Sequence, residues 1–327
     1  MLNILIRSPI FEQIYLMAFI AVAIGIFLLI KGGDWLMHAA VALSLRFSIP
    51  KIVIGMTVVS FATSAPELIV SIQSALSGHP DLALGNVVGS NIANLGLVLA
   101  VILLICPIEV PQSFYKTDWP MMILATVLFY IFVAYDKELN ATEGAFMFFI
   151  LVLFIVYLIK FKKNDPDEVV LEVEELLPVS KTSMYLIVGG FSLWLGSEVL
   201  IKGAVFLAQD FGVTERIISV TIVSLGTSIP ELSASIIAVI NKEKAISLGN
   251  LIGSNIFNLL AVMGITSMVH PVIVQDTGLL NNDIWWMIGI SVMVLPLVLI
   301  PEKLKLGRKE GLILLIFYAI FLIPLFL

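Results

Sequence analysis

The 327-residue sequence is poor in the residues that most enzymes and secreted domains rely on. It has one cysteine, Cys106, and three histidines, His38, His79 and His270. A lone thiol excludes an intrachain disulfide and any Cys-x-x-Cys metal site. The histidines are scattered and stand apart from every motif below, so they read as surface or packing residues. Charge is scarce as well, at 13% Asp, Glu, Lys and Arg, against about 25% in ordinary soluble domains. The net charge of −6 says little, because the charges cluster between apolar runs. No cofactor, nucleic acid or protein partner is implied. What fills the sequence instead is hydrocarbon: 60% of residues are hydrophobic and mean hydropathy is +1.08. Apolar runs long enough to cross a bilayer recur along the whole length. The expected partner is the lipid bilayer, and the expected class is an all-α polytopic membrane protein. The opening "MLNILIRSPIFEQIYLMAF" carries one Arg and no short apolar core with a cleavage site. It reads as the lead into the first span.

Hydropathy predicts ten spans, near 12–46, 50–77, 81–106, 118–135, 141–160, 184–210, 214–241, 244–269, 283–300 and 309–327. The first, second, sixth and seventh are long, which predicts tilt, kinks or extension beyond the bilayer. One sizeable polar segment, the acidic linker 162–183, separates residues 1–161 from residues 184–327. It reads as a solvated connection. The two five-span halves share a repeat. "SFATSAPE" from Ser60 returns as "SLGTSIPE" from Ser224, and "LALGNVVGSNIANLGLV" returns as "ISLGNLIGSNIFNLLAV", always 164 positions later. Of the 46 positions from Gly55 to Ala100, 20 are identical to their partners in 219–264. Chance similarity of apolar composition does not keep register across polar residues.

Five spans per half is an odd number, so the second half is predicted upside down relative to the first. Lys and Arg test this, because they favour cytoplasmic loops. With the N-terminus outside, 13 of the 18 basic residues fall in inner loops and three (Arg7, Lys137 and Arg216) outside, while Lys31 and Lys202 lie within spans. The bias predicts both termini outside and the acidic linker in the cytoplasm. Inverted repeats that meet near mid-membrane are a transporter signature.

The repeated polar residues carry the chemistry. In a helix, Thr63, Ser64 and Glu67 lie close to one face, as do Thr227, Ser228 and Glu231. An ionised carboxylate in hydrocarbon costs about 2.5–3.5 kcal/mol on insertion scales. Neither motif contains Lys or Arg, so the missing positive charge is a cation or a proton. Pro66 and Pro230 sharpen the cation reading. Proline frees the carbonyl four residues earlier, here those of Ala62 and Gly226, and bare backbone is tolerated only in a cavity or within protein. Ser90 and Asn94, and Ser254 and Asn258, add neutral oxygens at i, i+4 spacing. Carboxylate, hydroxyl, amide and carbonyl oxygens together suit Ca²⁺ or Na⁺ better than a soft metal. Gly85 with Gly89, and Gly249 with Gly253, have the spacing that lets membrane helices approach closely. A phosphate loop is excluded by spacing and by the missing Lys. An intramembrane enzyme lacks its nucleophile and base in these motifs.

"GMTVVSFATSAPE…GNVVGSNIAN" and "SVTIVSLGTSIPE…GNLIGSNIFN" resemble the two alpha repeats of the cation/calcium exchanger superfamily, close to its prokaryotic sodium/calcium antiporters. The likeness covers essentially the whole chain. It implies ten spans in two inverted halves, with Ca²⁺ and Na⁺ as transported ions. By position, Glu67 and Glu231 resemble the central carboxylates shared by both ions. Thr63 and Thr227 correspond to carbonyl donors for Ca²⁺. Ser64, Ser90, Ser228 and Ser254 correspond to Na⁺ ligands, helped by the carbonyls of Ser60 and Ser224, with Asn94 and Asn258 at the centre. Two departures stand out. Some relatives have Asp where this sequence has Asn258, and Ala62 replaces the usual Gly. Exchange of Ca²⁺ for H⁺ on the same fold is the alternative, since two glutamates can titrate. Asp34 and Glu198 also match across the repeat, within the long first and sixth spans. They are candidates for gating or cation entrance, or else for packing with hydration.

Overall fold

The computed structural model describes residues 9–161, 177–210, 226–300 and 304–326. Most of the acidic linker and Ser224 therefore lie outside the described residues. Helices dominate. In chain order they are α1 (Pro9–Phe47), α2 (Lys51–Thr63), α3 (Ala65–Leu76), α4 (Pro80–Ile105), α5 (Phe114–Asp136), α6 (Ala141–Phe161), α7 (Val179–Asp210), α8 (Ile229–Ile240), α9 (Lys244–Val269), α10 (Leu279–Leu299) and α11 (Arg308–Phe326). Among the described residues, seven helices are long and apolar enough to cross a membrane, and α2 with α3 makes an eighth if the bent pair is one span. Helix α8 is a shorter apolar segment whose expected span begins in undescribed sequence.

Burial sorts these helices into a centre and a periphery. In α4 and α9, 72% and 83% of the most apolar window is buried, against 28% in α1, α6 and α7. The two central helices carry the "GNVVGSN" and "GNLIGSN" stretches. They pack into a core that includes Leu84, Ile92 and Leu99 of α4, Phe129 of α5, Ile256 of α9 and Ile290 of α10. Peripheral helices show apolar side chains outward, such as Phe27, Phe149 and Ile187. That is the expected pattern where the surrounding solvent is lipid.

Among the described residues, helices α1 and α7 form the pair with the most extensive mutual contact. Glycine makes it possible. A Cβ on Gly25 would lie 2.8 Å from the carbonyl oxygen of Gly196, and one on Gly32 would lie 2.9 Å from that of Gly189. No side chain fits there, so the backbones cross at glycine on both sides. Gly25 and Gly32 are the repeat counterparts of Gly189 and Gly196. Exchanging the halves therefore turns each contact into the other.

Two short strand pairs close the ends. β1 (Ile108–Glu109) pairs antiparallel with β4 (Lys305–Leu306), and β2 (Glu138–Leu139) pairs with β3 (Val272–Ile273). The loops bond in two separate sets. At one end Lys51 Nζ reaches Glu243 Oε1 at 2.8 Å, Lys244 Nζ donates to the Pro107 carbonyl and Arg308 Nε to that of Leu104. At the other, Asp81 accepts the backbone N–H groups of Gln275 and Asp276. The first set lies in loops and span ends expected inside, and the second in loops and span ends expected outside.

Candidate functional site

The chain breaks at Ser64 and at Ser228, and the two breaks have one geometry. Ser64 has φ −87° and ψ 3°, and Ser228 has φ −87° and ψ 0°. Both values lie in the sparsely allowed bridge region. Helices α2 and α3 meet there at 44°. Pro66 and Pro230 stand in the first turn of α3 and α8. There a missing N–H costs nothing and the fixed φ suits helix initiation. The prolines thus start new helices, where the sequence suggested interruptions inside continuous ones. The Gly226 carbonyl, expected to be free, accepts a hydrogen bond of 2.7 Å from Ser197 Oγ of α7.

Starting a helix at each break puts a glutamate in its first turn, and both glutamates are wholly buried. Neither Glu67 carboxylate oxygen has a hydrogen-bond partner. Glu231 Oε1 accepts one from Ser64 Oγ at 3.2 Å, and its Oε2 has none. Beside them Asn94 has neither amide atom paired, Asn258 leaves Oδ1 free, and Ser228 Oγ is unpartnered. No Lys, Arg or His pairs with either glutamate among the described residues. Buried charge without a partner costs several kcal/mol, and leaving buried polar atoms unpaired adds about 1–3 kcal/mol each. One cation held among these oxygens removes most of that cost. No group of three or more His, Cys, Asp and Glu side chains occurs among the described residues. The donor set is hard and mostly neutral.

Two hydrogen-bonded networks flank this centre, and the repeat maps one onto the other. Asn86 Nδ2 donates to Ser71 Oγ at 3.2 Å and to the Glu67 carbonyl at 3.4 Å. Its Oδ1 accepts from Thr227 Oγ1 at 3.2 Å, and Thr227 lies 3.3 Å from Ser90 Oγ. In the other network Asn250 Nδ2 donates to Ser235 Oγ at 3.0 Å. Asn250 Oδ1 accepts from Thr63 Oγ1 at 3.2 Å, and Thr63 lies 3.4 Å from Ser254 Oγ. Each network ties a threonine of one half to an asparagine of the other.

A family model described as sodium/calcium exchanger protein matches residues 17–160 and 181–327. The chain belongs to the sodium/calcium exchanger family. The exchanger is a multi-pass membrane transporter of cations and not an enzyme. The CaxA protein of Alkalimonas amylolytica is 38% identical over 307 residues, which cover 92% of this chain and 96% of that one. The sodium/calcium exchanger MaX1 of Methanosarcina acetivorans is 28% identical over 350 residues, covering 94% and 98%. A solved structure of the sodium-calcium exchanger NCX_Mj, soaked without Na⁺ and Ca²⁺, superposes with a TM-score of 0.80 at 25% identity. That match covers 93% of this chain and 97% of the other.

In this exchanger, Ser64, Glu67, Asn94, Ser228, Glu231 and Asn258 make up the buried centre, where most side-chain oxygens are unpaired, and Thr63, Ser90, Thr227 and Ser254 belong to the flanking networks. The Ser60 carbonyl is engaged by the Ser64 N–H at 2.9 Å, and Ser60 Oγ sits against the Gly55 and Asn250 carbonyls. Asn86, Asn250, Ser71 and Ser235 were missed in the sequence. Their signal was present, since both pairs keep the 164-residue offset. Gly249 and Gly253 do permit close approach: a Cβ at either would fall on α2, against the Ile52 carbonyl and Ser60 Oγ respectively. No described residue lies within 4 Å of a Cβ at Gly85 or Gly89, and the counterparts of Ile52 and Met56 at 216 and 220 are undescribed. His79 and His270 are exposed, as is His38, which bonds the Asp34 carbonyl at 2.8 Å.

Proposed function

We propose that this exchanger is a secondary antiporter that exports Ca²⁺ in exchange for Na⁺ by alternating access. One observation carries the reading: Glu67 and Glu231, from opposite halves, are fully buried beside unpaired Asn and Ser oxygens with no basic partner among the described residues. In this reading both ions share the two carboxylates. Thr63 and Thr227 offer carbonyls to Ca²⁺. Ser64, Ser90, Ser228 and Ser254, with the carbonyls of Ser60 and Ser224, serve Na⁺, and Asn94 and Asn258 sit between them. The architecture proposed is ten spans in two inverted halves, 1–161 and 184–327, joined by the cytoplasmic linker 162–183. Both termini face outward from the cell membrane. The symmetric strand pairs, glycine crossings and Thr–Asn networks support that symmetry, and the two loop sets support the alternation of sides.

Reconstituted protein tests the coupling. ⁴⁵Ca²⁺ uptake into liposomes should follow an imposed Na⁺ gradient and ignore a proton gradient. Uptake that follows protons alone would transfer the reading to Ca²⁺/H⁺ exchange on the same fold. The doubled oxygen set further supports three Na⁺ per Ca²⁺, a cycle that moves one net charge and gains about 2.3 kcal/mol per 100 mV. Flux under a voltage clamped by valinomycin and K⁺ should therefore rise or fall with the sign of the voltage. A voltage-blind flux would leave two Na⁺. Orientation is tested with a cysteine placed between 165 and 180 in a Cys106→Ala background. It should react with an impermeant reagent only from the cytoplasmic side.

A further inference from the structure

The pseudo-symmetry of the flanking networks does not extend to where the α1–α7 pair meets the helices that follow the two breaks. Helix α1 packs along α8, whereas its repeat counterpart α7 makes no more than marginal contact with α3. Gly33 of α1 fits against Ile237 of α8, where a Cβ would lie 3.0 Å from the Ile237 side chain. Leu36 and Met37 cover Ala234 and Ala238 there, and all four are buried. One residue beyond Gly33, Asp34 Oδ1 accepts a hydrogen bond of 3.4 Å from Asn241 Nδ2, and Asn241 caps the C-terminus of α8. Adding or subtracting 164 gives the mirror set: Ser197 and Glu198 on α7, Gln73 on α3 and Ser77, which caps the C-terminus of α3. None of these contacts is made. Gln73 and Ser77 are exposed, and among the described residues Glu198 pairs locally with Lys202 at 3.1 Å, one helical turn away, with 43% of its side chain exposed.

The packing of α1 on α8 closes one end, and no comparable packing of α7 on α3 closes the other. In an inverted repeat, exchanging the conformations of the halves turns the molecule to face the other way.

We infer that Asp34 and Glu198 are alternating latches. Asp34 on Asn241 holds the closed end in the conformation described here, and Glu198 on Ser77 holds the other end once the α1–α7 pair has moved and Asp34 has let go. The inference rests on the antiporter reading above. It assigns the two acidic residues as positioning groups that choose which side is open, with no contact to the transported ion. The two closures also differ chemically. The first seats a glycine on an isoleucine, while the second brings Ser197 to Gln73, a polar pair that excludes water less well.

Paired cysteines in a Cys106→Ala background test this in full-length protein in liposomes. D34C/N241C should cross-link on oxidation, and so should E198C/S77C, with the two yields changing in opposite directions when Na⁺ is replaced by Ca²⁺. Each cross-link should stop exchange, and reductant should restore it. Adding Asp34→Ala to the E198C/S77C protein should raise its cross-linked fraction, by about two- to tenfold in the ratio of states, the size of one hydrogen bond's net contribution. A merely structural role for Asp34 would not move that ratio. An E198C/S77C pair that never cross-links while the reduced protein still exchanges Ca²⁺ overturns the latch and leaves the antiporter standing. Ion-dependent cross-linking in a protein that moves no Ca²⁺ would retire the Na⁺/Ca²⁺ reading and keep the latch.

Discussion

Two serines at matching breaks have the same backbone angles within a few degrees, yet their hydroxyls do different things. Ser64 donates to Glu231, while Ser228 has no partner and Glu67 receives nothing in return. The same inequality runs outward from the centre. Asn258 bonds Asn91 Oδ1 at 3.1 Å, whereas Asn94, its counterpart, bonds nothing. Local sequence thus builds two equal half-sites, and the packing around them makes the halves unequal. A transporter that shows one end at a time requires this: identical halves in identical environments would open both ends or neither.

The largest expected effect ignores the inequality. Glu67→Gln and Glu231→Gln should each reduce Ca²⁺ exchange to background while the protein still inserts and elutes as a folded species, because each carboxylate supplies charge that no neighbour replaces. Near-normal ⁴⁵Ca²⁺ flux in either variant would remove that residue from the centre. Next comes a comparison within the central helices. Gly249→Ala places a methyl on the Ile52 carbonyl and should cost about 1–3 kcal/mol of stability through overpacking. That loss is readable as a lower melting temperature in detergent. Gly253→Ala should behave alike, since its Cβ would meet Ser60 Oγ and the Met56 backbone.

A smaller effect sharpens the comparison of the two breaks. Ser64→Ala removes a hydrogen bond to Glu231, whereas Ser228→Ala removes a hydroxyl that bonds nothing among the described residues. Ser64→Ala should therefore weaken the apparent affinity for Ca²⁺ more, by about tenfold if the charged hydrogen bond is worth about 1.4 kcal/mol. Equal losses in titrated flux would mean that both hydroxyls act only when ions are bound. The smallest effect is expected on the exposed Glu198–Lys202 pair. Lys202→Ala should change stability by no more than about 0.5 kcal/mol and leave the rate of exchange unaltered. A large loss of flux would give Lys202 a part in holding Glu198 ready.

Much of the site was legible from residues alone, for a physical reason. Carboxylates and amides are so costly in hydrocarbon that a glutamate repeated in register within two apolar spans has few explanations. Glu67, Glu231, Asn94 and Asn258 were found in that way. Asn86, Asn250, Ser71 and Ser235 were harder to see, because a neutral amide in a membrane helix is often helix-to-helix glue, and its partner lies on another element. The prolines were legible as breaks, but their place at the start of a new helix was not. Whether a proline kinks a helix or begins one depends on the dihedral angles of the residue before it.

By itself, the sequence determined that the chain lives in a bilayer, that it is built as a doubled unit, and which oxygens are buried at its centre. All three follow from the cost of moving polar groups into hydrocarbon, which acts position by position along the chain. Tertiary structure decided the rest: which hydroxyl serves which glutamate, that the Gly226 carbonyl goes to Ser197, and that α1 closes on α8 while α7 stands off from α3. The repeat sets Gly33 against Ser197 and Ile237 against Gln73, but which of these residues pack on one another is read only from the folded helices. That choice rests on the side-by-side packing of whole helices, where a glycine at 33 and a serine at 197 meet different neighbours.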